Sequence, residues 1–386
     1  MTQQKGQLAR PIFAKIAPHE FLVANLVRPS SDSESQQGQT GTRPNGRAPD
    51  ESRDFDVHTG SLSQAHGSAA VRLGRTRVIC GVRGEILPVD NIPQYRPSSV
   101  ASTSESDGAV PSAALEADNR RQLRDYDLLV PNLELATGSA PEFLPGGPPS
   151  VLAQVLSTRL YALLHSSGLV DAESLKIWHQ PRSKKDAEEA GGAMEVDGSE
   201  DEEDDKDDDD EEEEEDGSPV LKAYWTLYID LLFLSFDGNP LDAAWAAIVA
   251  ALRDTRLPHA RWDADRDRFV CSPPAVTPAP PLALRGLPVA ATAVVCVENR
   301  KLQQRQSSDA AGAHWILEDP DRLEEGQCHE IVTVVVDCSK GTGKNTIVRA
   351  LSKSGGVLVG PKELHTLVAS AEKRWAGLSK ALGSNR

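Results

Sequence analysis

Glu318, Asp319, Asp321, Glu324 and Glu325 fall within eight residues of one another. Carboxylates held close together can bind a cation or work as an acid–base pair. Lying between two strand-like runs, five acids also suit a loop surrounded by water, and the residue types alone favour that solvated loop. A second candidate is Gly341-Thr342-Gly343-Lys344-Asn345-Thr346. A phosphate-cradling loop needs a glycine five residues before the Gly-Lys pair and a serine or threonine after it. Cys338 and Asn345 stand at those positions, so a tight turn between strands is expected instead.

Metal chemistry has little support in the sequence. The histidines are scattered, with no HExxH and no cysteine–histidine spacing of a zinc site. Cys328-His329 is a neighbouring pair without further ligands. The five cysteines (Cys80, Cys271, Cys296, Cys328 and Cys338) are odd in number, and four lie in apolar runs. That pattern predicts buried free thiols in a reducing compartment, not a disulfide framework.

Arginine is the third chemistry-bearing residue type. Arg72, Arg75, Arg77 and Arg83 form one group, and Arg120, Arg121 and Arg124 another. Either group can contact phosphates, which supplies affinity but little sequence selectivity. Arginine on an exposed strand also aids solubility or pairs with acids of a neighbouring subunit. The formal net charge of −17 argues against a polyanionic partner only until it is located. Between Asp186 and Asp216 there are 21 acidic residues and one lysine, a local charge of −20. The remainder carries +3, so RNA stays open as a partner. The tract reads as a self-repelling insertion or, alternatively, as a docking site for a basic partner.

These groups must be positioned by elements readable from periodicity. Pro11–Leu26 predicts a helix or helix pair broken at Pro18. Gly67–Leu73 and Thr76–Ile86 predict a hairpin turning at Gly74. In its second strand Thr76, Val78, Cys80 and Val82 face one way, and Arg77, Ile79, Gly81 and Arg83 the other. A helix is expected from Ser150 with Leu152, Val155, Leu156, Leu160, Leu163 and Leu164 on one stripe, stopping at Gly168. Tyr224–Phe236 is nearly all apolar and predicts a central strand buried on both faces. Asn239 and Pro240 predict an N-cap and first turn for a helix carrying Leu241, Ala244, Trp245, Ile248 and Leu252. Strands are expected at Val289–Val297, Ile331–Val336 and Gly356–Val359, and a last helix after Pro361. Pro29–Thr42, Pro97–Asn119 and Arg182–Pro219 are too poor in large apolar groups to join a core. No run approaches the ~18 apolar residues that suggest a membrane span, and the first residues lack a signal peptide's apolar stretch. The expected organisation is a helical extension and linker over 1–42, a domain over 43–271 with insertions near 97–119 and 182–219, and a domain over 282–386.

Several motifs occur in a fixed order. Arg43-Pro44-Asn45-Gly46-Arg47 is followed by Gly60-Ser61, Gly67-Ser68-Ala69 and Gly74-Arg75-Thr76-Arg77-Val78. Val130-Pro131-Asn132, Gly147-Pro148-Pro149, Phe236-Asp237-Gly238-Asn239 and Leu287-Pro288-Val289 come later. In this order the chain resembles the RNase PH superfamily, with Asn45 where an Asp is usual, and within it the non-catalytic subclass of exosome ring subunits. The resemblance implies an α+β, RNase PH-like (ribosomal protein S5 domain 2-like) fold with two similar α/β halves.

Active relatives hold phosphate with a Gly-Thr-Arg turn and arginines on the preceding helix, beside paired aspartates. Here the turn reads Asp237-Gly238-Asn239, the helix from Ser150 has one arginine (Arg159), and the acidic segment resembles the inactive form. Acids without cations would repel both a phosphate and an RNA backbone. The resemblance therefore implies no catalytic residues, no cofactor and no metal. It implies a structural subunit of a hetero-hexameric ring with other RNase PH-like subunits, S1/KH cap subunits, an associated nuclease and RNA in the central channel. Processing would run 3′ to 5′, in rRNA maturation and mRNA turnover, in the nucleus, nucleolus and cytoplasm, with no membrane involved. Arg43, Arg47, Arg72, Arg75, Arg77, Arg83, Arg120, Arg121 and Arg124 are the candidate RNA or interface contacts. An active phosphate-dependent exoribonuclease and a free-standing RNA-binding module remain the alternatives at this point.

Overall fold

Two sheets and the helix wedged between them set the positions of every candidate group. The computed structural model describes residues 9–27, 41–96, 112–180, 219–273, 276–297, 314–328, 330–355 and 359–383. The first sheet has the order β1 (Phe55–Thr59), β2 (Gly67–Leu73), β3 (Thr76–Pro88), β6 (Val220–Ser235) and β4 (Leu129–Leu135). β5 (Lys176–His179) also pairs with β6. Only the β4–β6 pairing in this sheet is parallel. The second sheet is antiparallel, in the order β10 (His314–Glu318), β9 (Pro288–Val297), β11 (Glu330–Asp337) and β12 (Ile347–Ser354). β7 (Ala260–Asp263) and β8 (Arg268–Cys271) form a small separate hairpin.

Helix α5 (Pro240–Asp254) lies against β2, β3 and β9, and every residue from Pro240 to Leu252 is buried. A helix covered on all sides must be apolar all round. Six alanines let both sheets approach it, and the indole N–H of Trp245 donates to the Pro288 carbonyl at 2.9 Å. Helix α7 (Pro361–Gly383) covers the second sheet through Leu367, Ala371, Leu378 and Leu382. Because α5 serves both sheets, the main core is shared. It contains Val78, Cys80 and Phe233 of the first half together with Val289, Val335 and Leu378 of the second. The paired helices α1 (Arg10–Ile16) and α2 (Pro18–Leu26) are separated at Ala17. Leu22 and Leu26 of α2 cap a further cluster with Val294, Cys296, Leu317 and Cys328.

The hairpin forms as its alternation requires. Thr76, Val78, Cys80 and Val82 are buried, Arg77 and Arg83 are exposed, and Gly74 takes φ 61° at the first turn position. Helix α4 (Val151–Ser167) starts at Ser150, whose hydroxyl accepts from the Ala153 amide, and stops at left-handed Gly168. Val155 of its predicted stripe is exposed. All five cysteines are free, and only Cys271 is exposed.

Other expectations are corrected. β6 is buried on both faces only over residues 223–227. From Tyr228 onward its burial alternates, with Leu234 exposed. Helix α3 (Ser112–Asp125) occupies the end of the stretch expected to be an insertion; among its described side chains Asn119, Gln122 and Leu123 are buried, two of them polar, so its apolar signal is weak. β12 is a strand the sequence did not suggest, and of the strand expected at Gly356–Val359 residues 356–358 lie outside the described residues. The linker residues 28–40 and the acidic tract also lie outside them. In the described strands on either side of the tract in sequence, Trp178 pairs with Leu221 and His179 with Val220.

Candidate functional site

The acidic segment is not a solvated loop. Glu318 ends β10, and Asp319 follows with φ 48°, its amide donating to the Thr292 carbonyl of β9 at 2.9 Å. Asp321 then caps the short helix α6 (Arg322–Gln327). Its carboxylate accepts from the Glu324 amide while the Glu324 carboxylate accepts from the Asp321 amide. This reciprocal box is legible in the spacing Asp-x-x-Glu, and it turns Glu324 inward.

Asp319 is the centre of the site and is fully buried. Arg53 grips it with both ends of its fork, Nε to Oδ2 at 2.7 Å and NH2 to Oδ1 at 2.8 Å, and adds its backbone amide at 2.8 Å. Arg47 donates to Oδ2 at 3.3 Å, and Asn239 Nδ2 to Oδ1 at 2.6 Å. Arg374 of α7 stands 3.6 Å from Oδ1 and 3.2 Å from Asp242. Burial pushes the Asp319 carboxyl up, but the Arg374 and Arg53 charges and the hydrogen bonds from Arg53 and Asn239 outweigh it. The group is held well below the usual carboxylate range.

Around this centre the Arg43-Pro44-Asn45-Gly46-Arg47 turn acts as a clamp. Arg43 is 2% exposed. It donates to the carbonyls of Pro49 and Glu318 (the latter at 2.6 Å) and lies 3.4 Å from Glu324. Burial lowers its affinity for its proton, which Glu324 partly restores. Asn45 donates to the Asp321 carboxylate at 2.8 Å. On the other side Asn239 adopts φ 50° and makes no side-chain cap to α5. Its amide instead donates to Glu325 at 2.8 Å and its side chain to Asp242 and Asp319. Asp242 holds β9 through the Thr292 amide and hydroxyl. Gly238, at φ 80°, sits so close to the Asp321 backbone that a Cβ would come within 2.4 Å.

Four other carboxyls are pushed upward by burial. Glu325 rises to about 8, with the Asn239 amide and Arg53 opposing the shift, and Glu318 and Glu324 rise as well. Asp237 in the turn before α5 is also raised by burial. Asp319 and Asp242 are thus paired with arginine, and Glu318, Glu324, Glu325 and Asp237 are driven toward their neutral forms. Among the described residues no group of three or more His, Cys, Asp or Glu could hold a metal ion.

Arg43 and Arg47 are therefore corrected as surface candidates. Their guanidinium groups are taken up by Asp319, Glu324 and carbonyls, because buried carboxylates need paired cations. Arg53 and Arg374, not singled out by the sequence, complete the network. Arg72, Arg75, Arg77 and Arg83 do share one open face. Arg72 pairs with Asp56 at 3.0 Å; Arg83 pairs with Glu85 at 3.1 Å and lies over Tyr228. Among the described residues Arg75 and Arg77 make no ion pair. Arg120, Arg121 and Arg124 lie on α3, apart from that face, each near an acid of its own helix. The Gly341–Thr346 segment is a turn between β11 and β12, as expected. The Gly343 amide that would face a phosphate donates to Glu372 at 3.0 Å.

Comparison with known proteins gives this arrangement a family. A component of the exosome complex called rrp43, from Schizosaccharomyces pombe, is 27% identical over 94% of both chains. The exosome complex component Rrp42 of Methanocella arvoryzae is 24% identical over 92% of this chain and 95% of its own. A solved Archaeoglobus fulgidus exosome with RNA bound to the active site shares the fold, with a TM-score of 0.55 and 22% identity. That match covers 96% of this chain and 98% of the other. The model described as 3′ exoribonuclease family, domain 1, matches residues 51–258, just over half of the sequence. The chain belongs to the 3′ exoribonuclease (RNase PH) family.

Proposed function

We propose that this chain is a non-catalytic ring subunit of an exosome core, helping to form a channel for RNA processed from its 3′ end. The observation that carries this is the state of Asp319: fully buried, bonded on both oxygens, and surrounded by Arg47, Arg53 and Arg374. A carboxylate so enclosed cannot take up a proton from a substrate or hold a metal ion. The turn that would have to receive phosphate carries the carboxyl of Asp237 and no cation. The relatives named as exosome components support the assembly.

Two surface features fit a chain that works with neighbours. An apolar groove of about 170 Å³ runs between α4 and β12, lined by Leu163, Leu241, Val335 and Ala350. Val151, Val155, Val348 and Leu351 are exposed on the same two elements. Among the described residues the outer edge of β12 pairs with no strand, and such an edge seeks a partner. The expected partners are other RNase PH-like subunits in a six-membered ring, S1/KH caps above it and a separate nuclease. The site of action would be the nucleus, nucleolus and cytoplasm.

The test is reconstitution. The purified chain should release no nucleoside diphosphates from RNA with phosphate present, yet co-purify with ring subunits in one stoichiometric complex. Robust phosphate-dependent release by the chain alone, or failure to enter the ring, overturns the proposal.

A further inference from the structure

Six residues back along the chain from Thr292, at the approach to β9, a second arginine cluster surrounds a cleft of about 260 Å³. At ~3.3 Å per residue of extended chain the two places are roughly 20 Å apart. The cleft lies between the two halves. Its charged lining is Glu116 and Arg120 of α3, Arg285 before β9, Asp337 and Lys340 at the end of β11, and Arg349 of β12. None of these residues belongs to the Asp319 network.

The acids here hold the cations in place without closing the cleft. Asp337 is buried and directed into the protein. It accepts from the Leu287 amide, from the Ser339 amide and hydroxyl, and from Arg349 at 3.3 Å. Gly286 makes this possible, since a Cβ there would collide with the Asp337 carboxylate. Outside the cleft, Asp171 takes Arg285 through Nε at 3.1 Å and NH2 at 2.6 Å, leaving NH1 unused. Glu116 stands 3.7 Å from Arg120, whose guanidinium lies over Gly168 at the C-terminal end of α4. That end of a helix favours a cation, which keeps Arg120 in position. Among the described residues no carboxylate lies within ion-pair distance of Lys340. The charged lining is thus four cations (Arg120, Arg285, Lys340 and Arg349) against two acids (Glu116 and Asp337), with Asp171 holding Arg285 from outside.

We propose that this cleft binds a phosphoryl group. Planar guanidinium forks match the tetrahedral oxygens of phosphate, and a lysine adds a movable point charge. The volume is below the ~300 Å³ at which pockets begin to enclose whole organic ligands. The cleft therefore takes the phosphate and leaves whatever bears it outside. Because its cations come from both halves, the bound anion would bridge them.

The test uses the full chain at low ionic strength, titrated with inorganic phosphate, a ribonucleoside 5′-monophosphate and a short oligoribonucleotide without terminal phosphates. Binding is followed by calorimetry, with ³¹P line broadening for the first two. Saturable binding is expected, at least tenfold weaker in Lys340→Glu and in Arg120→Gln and unchanged in Arg268→Ala, an exposed β8 residue that does not line the cleft. Melting curves identify any variant that fails to fold. The tightest of the three ligands identifies the source of the phosphate: free anion, nucleotide or RNA backbone. No saturable binding of any of them overturns the proposal, as does equal binding by Lys340→Glu/Arg120→Gln or equal loss in Arg268→Ala. Ring assembly does not depend on this result, so the two proposals fail separately.

Discussion

The two arginine–carboxylate clusters along β9 are built from the same residue types and differ in what is left over. Around Asp319, three arginines and an asparagine converge on one buried carboxylate, and every oxygen is used. In the cleft at Arg285 and Lys340, each acid restrains one arginine and the cations still outnumber the acids that face the opening. Burial makes the difference. Removing an ion pair from water is costly and is offset only when all its hydrogen bonds are made. A saturated cluster therefore works as a fastener, while a half-exposed one with spare donors can recruit a ligand.

The comparison breaks most visibly at Asp319. Asp319→Ala strands Arg53 without its counter-charge, leaves Arg374 only Asp242, and should cost about 3–5 kcal/mol, read as a lower urea midpoint. A loss under about 1 kcal/mol would mean the network does not fasten the halves.

Glu325 tests the same network through pH. Its folded value of about 8 lies above the ordinary 4.5, so below pH 4.5 both states hold the proton and nothing is lost. As pH rises the unfolded chain releases the proton and the folded chain keeps it. Stability therefore falls between about pH 4.5 and 8, then levels off. Glu325→Gln should remove that decline, a relative gain on the order of 2–4 kcal/mol at alkaline pH. Parallel stability–pH curves for the two proteins would refute the assignment.

Gly238→Ala forces a side chain onto the Asp321 backbone at a positive φ and should cost about 1–3 kcal/mol. Calorimetric melting would show it, and an unchanged midpoint would mean the two loops are not in contact. The smallest stability effect is expected on the open sheet face. Arg75→Ala and Arg77→Ala should shift stability by less than about 0.5 kcal/mol. In the assembled ring, each arginine that touches RNA should reduce the salt slope of binding by about one on removal. An unchanged slope in both variants would remove this face from the RNA path.

How much of this was legible depended on how local the signal was. The β2–β3 hairpin, α4 with its Ser150 cap and Gly168 stop, and α7 after Pro361 were readable because alternation, capping and periodicity act within a few residues. β12 was missed because Ile347–Ser354 is an edge strand, polar and largely exposed, without a buried face to set its pattern. The site was legible only in fragments. The Asp321–Glu324 capping box was present in the spacing, and Arg374 interrupts the apolar stripe of α7 between Ala371 and Leu378. Either could have indicated a buried acid or a buried partner for one.

The sequence by itself determined the family motifs, the separation of the acidic tract from a near-neutral body, and the absence of a phosphate-holding Gly-Thr-Arg turn. Only the tertiary structure decided which arginines are fasteners and which are surface. Arg43, Arg47 and Arg53 meet Asp319 and Glu324 across more than 260 residues of chain. Nothing in the types of Arg43 and Arg77 distinguishes them. Arg43 is buried beside carboxylates and Arg77 faces solvent, and burial next to a charge is a property of the packed molecule.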